Sequence, residues 1–196
     1  MIDIEPAARR MRNLAAGVPD DELAAPTPCA EMRVGDLLDH VLTLAWAFRL
    51  AAEKETTAAD GPPPVPKAEN LPSDWRTRLD HRLGALVEAW SDPTAWEGET
   101  AVGGVAAPGE EVGMIALDEL VLHGWDLARA TGQEYVCPQD DAEACYAFVS
   151  AVPPDDPAAR EGLFGPVVPV PQDAPLFDRV LGLSGRDPKW TPPASG

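Results

Sequence analysis

The run Glu110-Glu111-Val112-Gly113-Met114-Ile115-Ala116-Leu117-Asp118-Glu119-Leu120-Val121-Leu122-His123-Gly124-Trp125-Asp126-Leu127-Ala128-Arg129-Ala130-Thr131-Gly132 decides the fold. It reads as one long helix that begins at about Glu110 or Val112 and ends at Ala130. Thr131-Gly132 stops it, with glycine just past the end, where a left-handed backbone closes a helix at little cost. At the usual rise per residue such a helix is roughly 30 Å long. A helix of that length needs partners, and three further stretches of helical periodicity precede it. The first runs from about Glu5 to Gly17, with Pro6 tolerated in the first turn and Ala7, Met11, Leu14 and Ala15 facing inward. The second runs from Val34 to about Lys54 with Leu37, Val41, Leu44, Ala45, Phe48 and Ala52 on one stripe. The third is expected to be capped by Ser73 ahead of Asp74 and to bury Leu79, Leu83, Leu86, Val87 and Trp90.

A fifth, shorter helix is expected from about Gln139 to Ala151, with Asp140 and Asp141 favourable in its first turn. The 22 prolines and 16 glycines crowd into Gly61–Pro66, Gly98–Gly113 and Val152–Pro175 and so punctuate these helices. Val102–Ala107 allows a short hairpin arm, but the expected class is all-α. Antiparallel helices with short loops pack at about 20° and build their sites from inward side chains on facing helices. The core is expected over residues 5–151 of a single domain spanning 1–196. From Val152 onward prolines exclude regular structure except for a turn or two within Asp173–Leu183. Its many apolar side chains predict that this tail, 152–196, docks on the bundle.

Charge narrows the function. With 15 Lys and Arg against 33 Asp and Glu, the formal net charge is −18, which repels phosphate backbones and anionic lipid heads. Nucleic-acid and membrane partners are not expected. The most apolar run, Val41–Phe48, is broken by Arg49, and the acidic N-terminus lacks the features of a secretory signal. Three cysteines, at 29, 137 and 145, make neither a chelating pair nor an even disulfide set, so a reducing, cytoplasmic setting is expected.

Within the long helix Glu119 and His123 stand at i and i+4 and share a face with Ile115, Ala116 and Ala130. A carboxylate among apolar neighbours needs a partner, because burying it alone costs several kcal/mol. Two readings follow: a Glu119–His123 hydrogen bond, or a metal held by Glu119, His123 and His40 of the second helix. A set of two histidines and one carboxylate suits Zn, Fe, Ni or Mn and leaves positions open for water or substrate. Asp126, on the same side as His123, is available to accept a hydrogen bond from the non-ligating ring nitrogen and orient the ring, or else to pair with Arg129. His81 points away from its helix's apolar stripe and reads as a surface residue. Trp46 and Trp125 read as packing, and Cys29, in Pro26-Thr27-Pro28-Cys29-Ala30-Glu31, as an inert thiol. No phosphate-binding glycine loop or nucleophile elbow is present.

The Pro26–Glu31 stretch, Asp36-Leu37-Leu38-Asp39-His40-Val41, the Glu119–Gly132 run and the closing Gly185-Arg186-Asp187-Pro188-Lys189-Trp190 together resemble the DinB-like superfamily. The likeness is to its actinobacterial metal-binding group, similar to the N-terminal domain of mycothiol-dependent maleylpyruvate isomerase. It covers almost the whole chain but not that isomerase's C-terminal α/β domain, since about 45 Pro-rich residues follow the fifth helix. The resemblance implies an up-down-down-up four-helix bundle holding one divalent metal, zinc above all, at His40, Glu119 and His123. It further implies mycothiol as cosubstrate in S-transfer to, or isomerisation of, an electrophilic small molecule, by a monomer or homodimer. The alternative is a metal-containing protein that sequesters a small ligand without turnover.

Overall fold

Residues 1–55 and 64–193 are described by the structure, a computed structural model. Helix α1 spans Glu5–Ala16 and buries Ala7, Ala8, Met11, Leu14 and Ala15. Helix α2 spans Val34–Ala52, and its opening is fixed by two carboxylates one turn apart. Asp36 accepts from the Arg33 N–H at 3.0 Å and from the Ala68 N–H at 2.8 Å, while Asp39 Oδ2 accepts from the Lys67 N–H and the Asn70 side-chain amide, each at 3.0 Å. The pair therefore seats the 3-10 turn Ala68–Asn70 on the flank of α2. His40, the next residue, projects about 100° around the helix from Asp39.

Helix α3 spans Trp75–Trp90 and buries Trp75, Leu79, Leu83, Leu86 and Trp90. Ser73 is not its cap. Asp74 holds the N-cap position, and its carboxylate accepts from Arg78 Nε at 2.7 Å instead of from the backbone, so the salt bridge outcompetes the cap. A short antiparallel hairpin follows, β1 (Glu99–Val102) with β2 (Val105–Pro108), so the fold is mostly helical with one two-stranded sheet. Its turn is Gly103-Gly104 with φ of 60° and 80°. Both central residues of such a tight turn need positive φ, which glycine adopts without steric cost.

Helix α4 spans Gly109–Ala130. Gly132 takes φ 65°, and the Gln133 N–H reaches back to the Ala128 carbonyl at 2.9 Å, closing the helix at the expected place. Helix α5 spans Gln139–Ala151 and is tied to α1 by an Arg10–Asp141 ion pair. The tail carries more regular structure than its prolines suggest. One turn of helix, α6 (Pro157–Arg160), starts with proline and is capped by Asp156, which accepts from the Ala158 and Ala159 N–H groups. Proline in the first turn preorganises a helix and only breaks one from within. Helix α7 spans Leu176–Leu183.

Both α1 and α2 pack against α3 and α4; α5 rests on α4, and α7 on α5. Leu37, Leu83, Leu117 and Val121 are fully buried where the first four helices meet. No helix among the described residues is long and apolar enough to cross a membrane. The Pro/Gly cluster expected at 61–66 falls partly outside the described residues, as do positions 194–196 of the tail.

Candidate metal centre

Facing positions of α2 and α4 bring His40, Glu119 and His123 together, with one potential ligand atom from each and all three within 4.8 Å of one another. Glu119 Oε2 lies 3.0 Å from His123 Nε2 and 3.6 Å from His40 Nε2. The two imidazoles meet edge to face with centroids 5.0 Å apart. The His123 side chain is buried, whereas those of His40 and Glu119 retain 20% and 25% of their exposure, so the cluster opens to solvent on one side. That opening decides what the site admits, because a closed polar core gives no access to a ligand.

Behind His123 the polar chain continues inward. Asp126 Oδ2 lies 3.0 Å from His123 Nδ1 and is fully buried. In a neutral His123 whose Nδ1–H donates to Asp126, Nε2 is left with its lone pair toward Glu119 and His40, the tautomer a metal ligand needs. Arg129 is not the partner of Asp126; it donates to the Trp190 carbonyl. Arg186 is, through Nε at 2.9 Å and Nη2 at 2.8 Å. Nothing in the spacing around Asp126 marked Arg186, sixty residues downstream, for this contact.

These contacts set the charges. Burial works against ionising Glu119, but hydrogen bonds to His123 and His40 outweigh it and hold the carboxyl well below the usual range. Burial likewise opposes a charged His123, yet hydrogen bonds to Asp126 and Glu119 raise its pKa to about 9. For Asp126 the desolvation is overcome chiefly by the charge of Arg186, which keeps it ionised. A charged His123 is thus held between two carboxylates, Glu119 and Asp126.

Other polar residues do not join the cluster. Asp118, beside Glu119 in sequence, turns to Cys145 of α5; its Oδ1 is buried without a partner among the described residues, and burial raises its pKa to about 7. His81 is exposed on α3 and stands apart. Trp125 is buried in the core and Trp46 half-buried. All three thiols are free, and burial pushes each upward, Cys29 to about 11 and Cys137 to about 12.

Facing helices that present two imidazoles and a carboxylate toward an open side are an arrangement in which helical proteins build metal sites from inward side chains. The chain belongs to the family of the mycothiol maleylpyruvate isomerase N-terminal domain, which matches residues 4–128. Two uncharacterized proteins of Mycobacterium tuberculosis, from strains CDC 1551 and H37Rv, are each 27% identical over 183 residues, covering 88% of this chain and 90% of theirs. Among solved structures, the mycothiol-dependent maleylpyruvate isomerase is similar in fold, with a TM-score of 0.60 and 17% identity over 74% of this chain. A structure of a mutant of that isomerase gives 0.58 and 18%. The match spans 66% of the isomerase chain in each, so the likeness leaves about a third of that protein without a counterpart here.

Proposed function

We propose that this protein binds one divalent metal, zinc before nickel, iron or manganese, at His40, Glu119 and His123. It uses the site with a low-molecular-weight thiol, mycothiol, on an electrophilic small molecule, as an S-transferase or isomerase. The observation that carries the reading is the convergence of three ligand atoms within 4.8 Å, beside an opening, with the second nitrogen of His123 already occupied by Asp126. Two imidazoles and one carboxylate fit zinc or a neighbouring transition metal and leave coordination positions free. Bound there, a divalent cation supplies a Lewis acid that lowers the pKa of a thiol at the open position.

The chain's own residues do the rest. Asp126 holds the His123 ring in place, and His40 and Glu119 keep the ligand set on one side. Cys29, Cys137 and Cys145 stay protonated near neutral pH because burial raises them, so a reactive thiolate has to come from a bound cosubstrate. The same reading takes α1–α4 as an up-down-down-up bundle, residues 1–196 as one cytoplasmic domain with its core over 5–151, and 152–196 as its docked tail.

The test is elemental analysis of protein purified without a histidine tag, followed by incubation of the metal-loaded protein with mycothiol and monochlorobimane. One equivalent of divalent metal and metal-dependent conjugate are expected. Metal without conjugate favours the sequestering alternative, and absence of metal at any loading leaves only a polar cluster satisfied by its own hydrogen bonds.

A further inference from the structure

The tail delivers Arg186 by a defined turn. At the end of α7 the Gly185 N–H bonds to the Gly182 carbonyl at 3.1 Å and the Arg186 N–H to the Leu181 carbonyl at 2.8 Å. With Gly185 at φ 88°, this is the paired closure of a helix C-terminus by glycine. A Cβ on Gly185 would also come within 2.8 Å of the Gly165 backbone, so glycine is required there on two counts. The turn sends the Arg186 side chain into the bundle, where it is 9% exposed and grips a carboxylate that is fully buried. Nε lies 2.9 Å from Oδ1 and 3.1 Å from Oδ2, and Nη2 lies 2.8 Å from Oδ2. Such a fork fixes the plane of the carboxylate, which a single ammonium does not. The same Oδ2 faces His123 Nδ1 at 3.0 Å.

We propose that Arg186 is a positioning residue for the metal centre: by clamping Asp126 it sets the orientation of His123, so that metal binding and docking of the tail's last turn, 184–190, reinforce each other. The inference rests on the metal reading above and adds to it that a segment outside the matched residues 4–128 tunes the site. Partners one contact beyond a metal ligand are typically worth 10- to 100-fold in metal affinity. Coupling of this kind is reciprocal, so whatever the tail does for the metal, the metal does for the tail.

The experiment is zinc titration of the full chain against a chromophoric chelator, for the native sequence, Arg186→Met, Arg186→Lys, Asp126→Asn and the Asp126→Asn/Arg186→Met double variant. Arg186→Met is expected to weaken zinc binding about tenfold or more, and Arg186→Lys to recover part of the loss because it restores charge without the fork. The double variant leaves no buried charge unpaired, so it stays testable where a single variant misfolds. Its affinity is expected to match Asp126→Asn alone. Amide exchange gives the reciprocal readout: zinc should slow exchange at Gly185 and Arg186 several-fold in the native chain and not in the double variant. A role confined to stability would lower the melting temperature of the metal-free protein and leave zinc affinity and this exchange response untouched, which overturns the proposal. So does a double variant whose loss is the product of the two single losses. Failure of the native chain to bind any of zinc, nickel, iron and manganese, each titrated in the same way, overturns the metal reading and this inference with it, whereas tight native binding unchanged in every Arg186 variant overturns this inference alone.

Discussion

On the metal reading proposed above, Glu119 is the residue whose role would differ most between the protein with and without a cation. It is ionised between two imidazoles and serves as the counter-ion of a charged His123, and on that reading it would turn into a ligand when a cation binds. Removing either ring breaks both arrangements, but only the metal reading predicts loss of metal. In His123→Ala, elemental analysis should find metal content reduced by roughly two-thirds or more, since loss of a ligand exceeds the cost of losing an outer partner. His81→Ala, exposed on α3, should leave it unchanged. The thiols offer a second check. Burial lifts Cys29 from 9.0 to about 11, so the unfolded chain gives up this proton first as pH rises. Stability tied to the protonated thiol is therefore complete below pH 9 and lost between 9 and about 11. Urea midpoints should be lower at pH 10.5 than at pH 8, and iodoacetamide at pH 8 should label the native cysteines far more slowly than the urea-unfolded ones. Equal labelling rates would refute the buried thiols. At this scale Glu119, His123 and Asp126 were legible because helical spacing places them on one side of a helix, whereas His40, on another helix, joined them only through its place at the margin of its own apolar stripe and the family resemblance. Arg186 was not, because no periodicity links residues on separate elements sixty positions apart.

At the scale of elements, legibility followed the strength of the repeating signal. Helices α1, α2 and α4 could be read from apolar stripes, with glycine stops after α1 and α4, since each buries a face whose period is the helix's own. Helix α2 ends two residues before the expected Lys54, and α5 was placed by the acids of its first turn. The hairpin, α6 and the start of α3 depend on local competition: two glycines at positive φ, a proline that starts a turn, and a carboxylate that chooses Arg78 over the backbone. A stripe carries none of that information. Helix α7 shows what such local detail contributes. Gly182 lies in its last turn, its carbonyl accepts from the Val168 N–H at 2.9 Å, and a Cβ there would sit 2.5 Å from Val170 Cγ2 and 2.7 Å from the Val168 carbonyl oxygen. In an isolated helix alanine is the better residue by about 1 kcal/mol. Here the clash involves backbone, which cannot rotate away, so Gly182→Ala should destabilise by about 1–3 kcal/mol as overpacking does. Urea unfolding measures it, and a stabilised variant would mean that 168–170 does not lie against α7.

For the molecule as a whole, the question is whether the chain beyond α5 is part of the folding unit. Val180 and Leu181 of α7 are essentially without exposure, and each is worth about 1.5–3 kcal/mol in burial. Arg160, itself buried, donates to the carbonyls of Gly165 and Leu183 and so ties α6 to the end of α7. Arg186 neutralises a carboxylate that has no access to solvent, and deleting one partner of a buried pair typically costs about 3–5 kcal/mol. These losses together rival the entire stability of an ordinary domain, about 5–15 kcal/mol. A chain ending at Ala151 should therefore melt far below the 196-residue chain or fail to fold, even though all the proposed metal ligands remain in it. The full chain should resist trypsin at Arg160, whose guanidinium is engaged, and cleavage there should follow the global unfolding transition measured by circular dichroism. Rapid cleavage after Arg160 or Arg179 in the native state, with an unchanged melting temperature, would show instead that the bundle stands without its tail and that the grip of Arg186 on Asp126 contributes nothing to the fold.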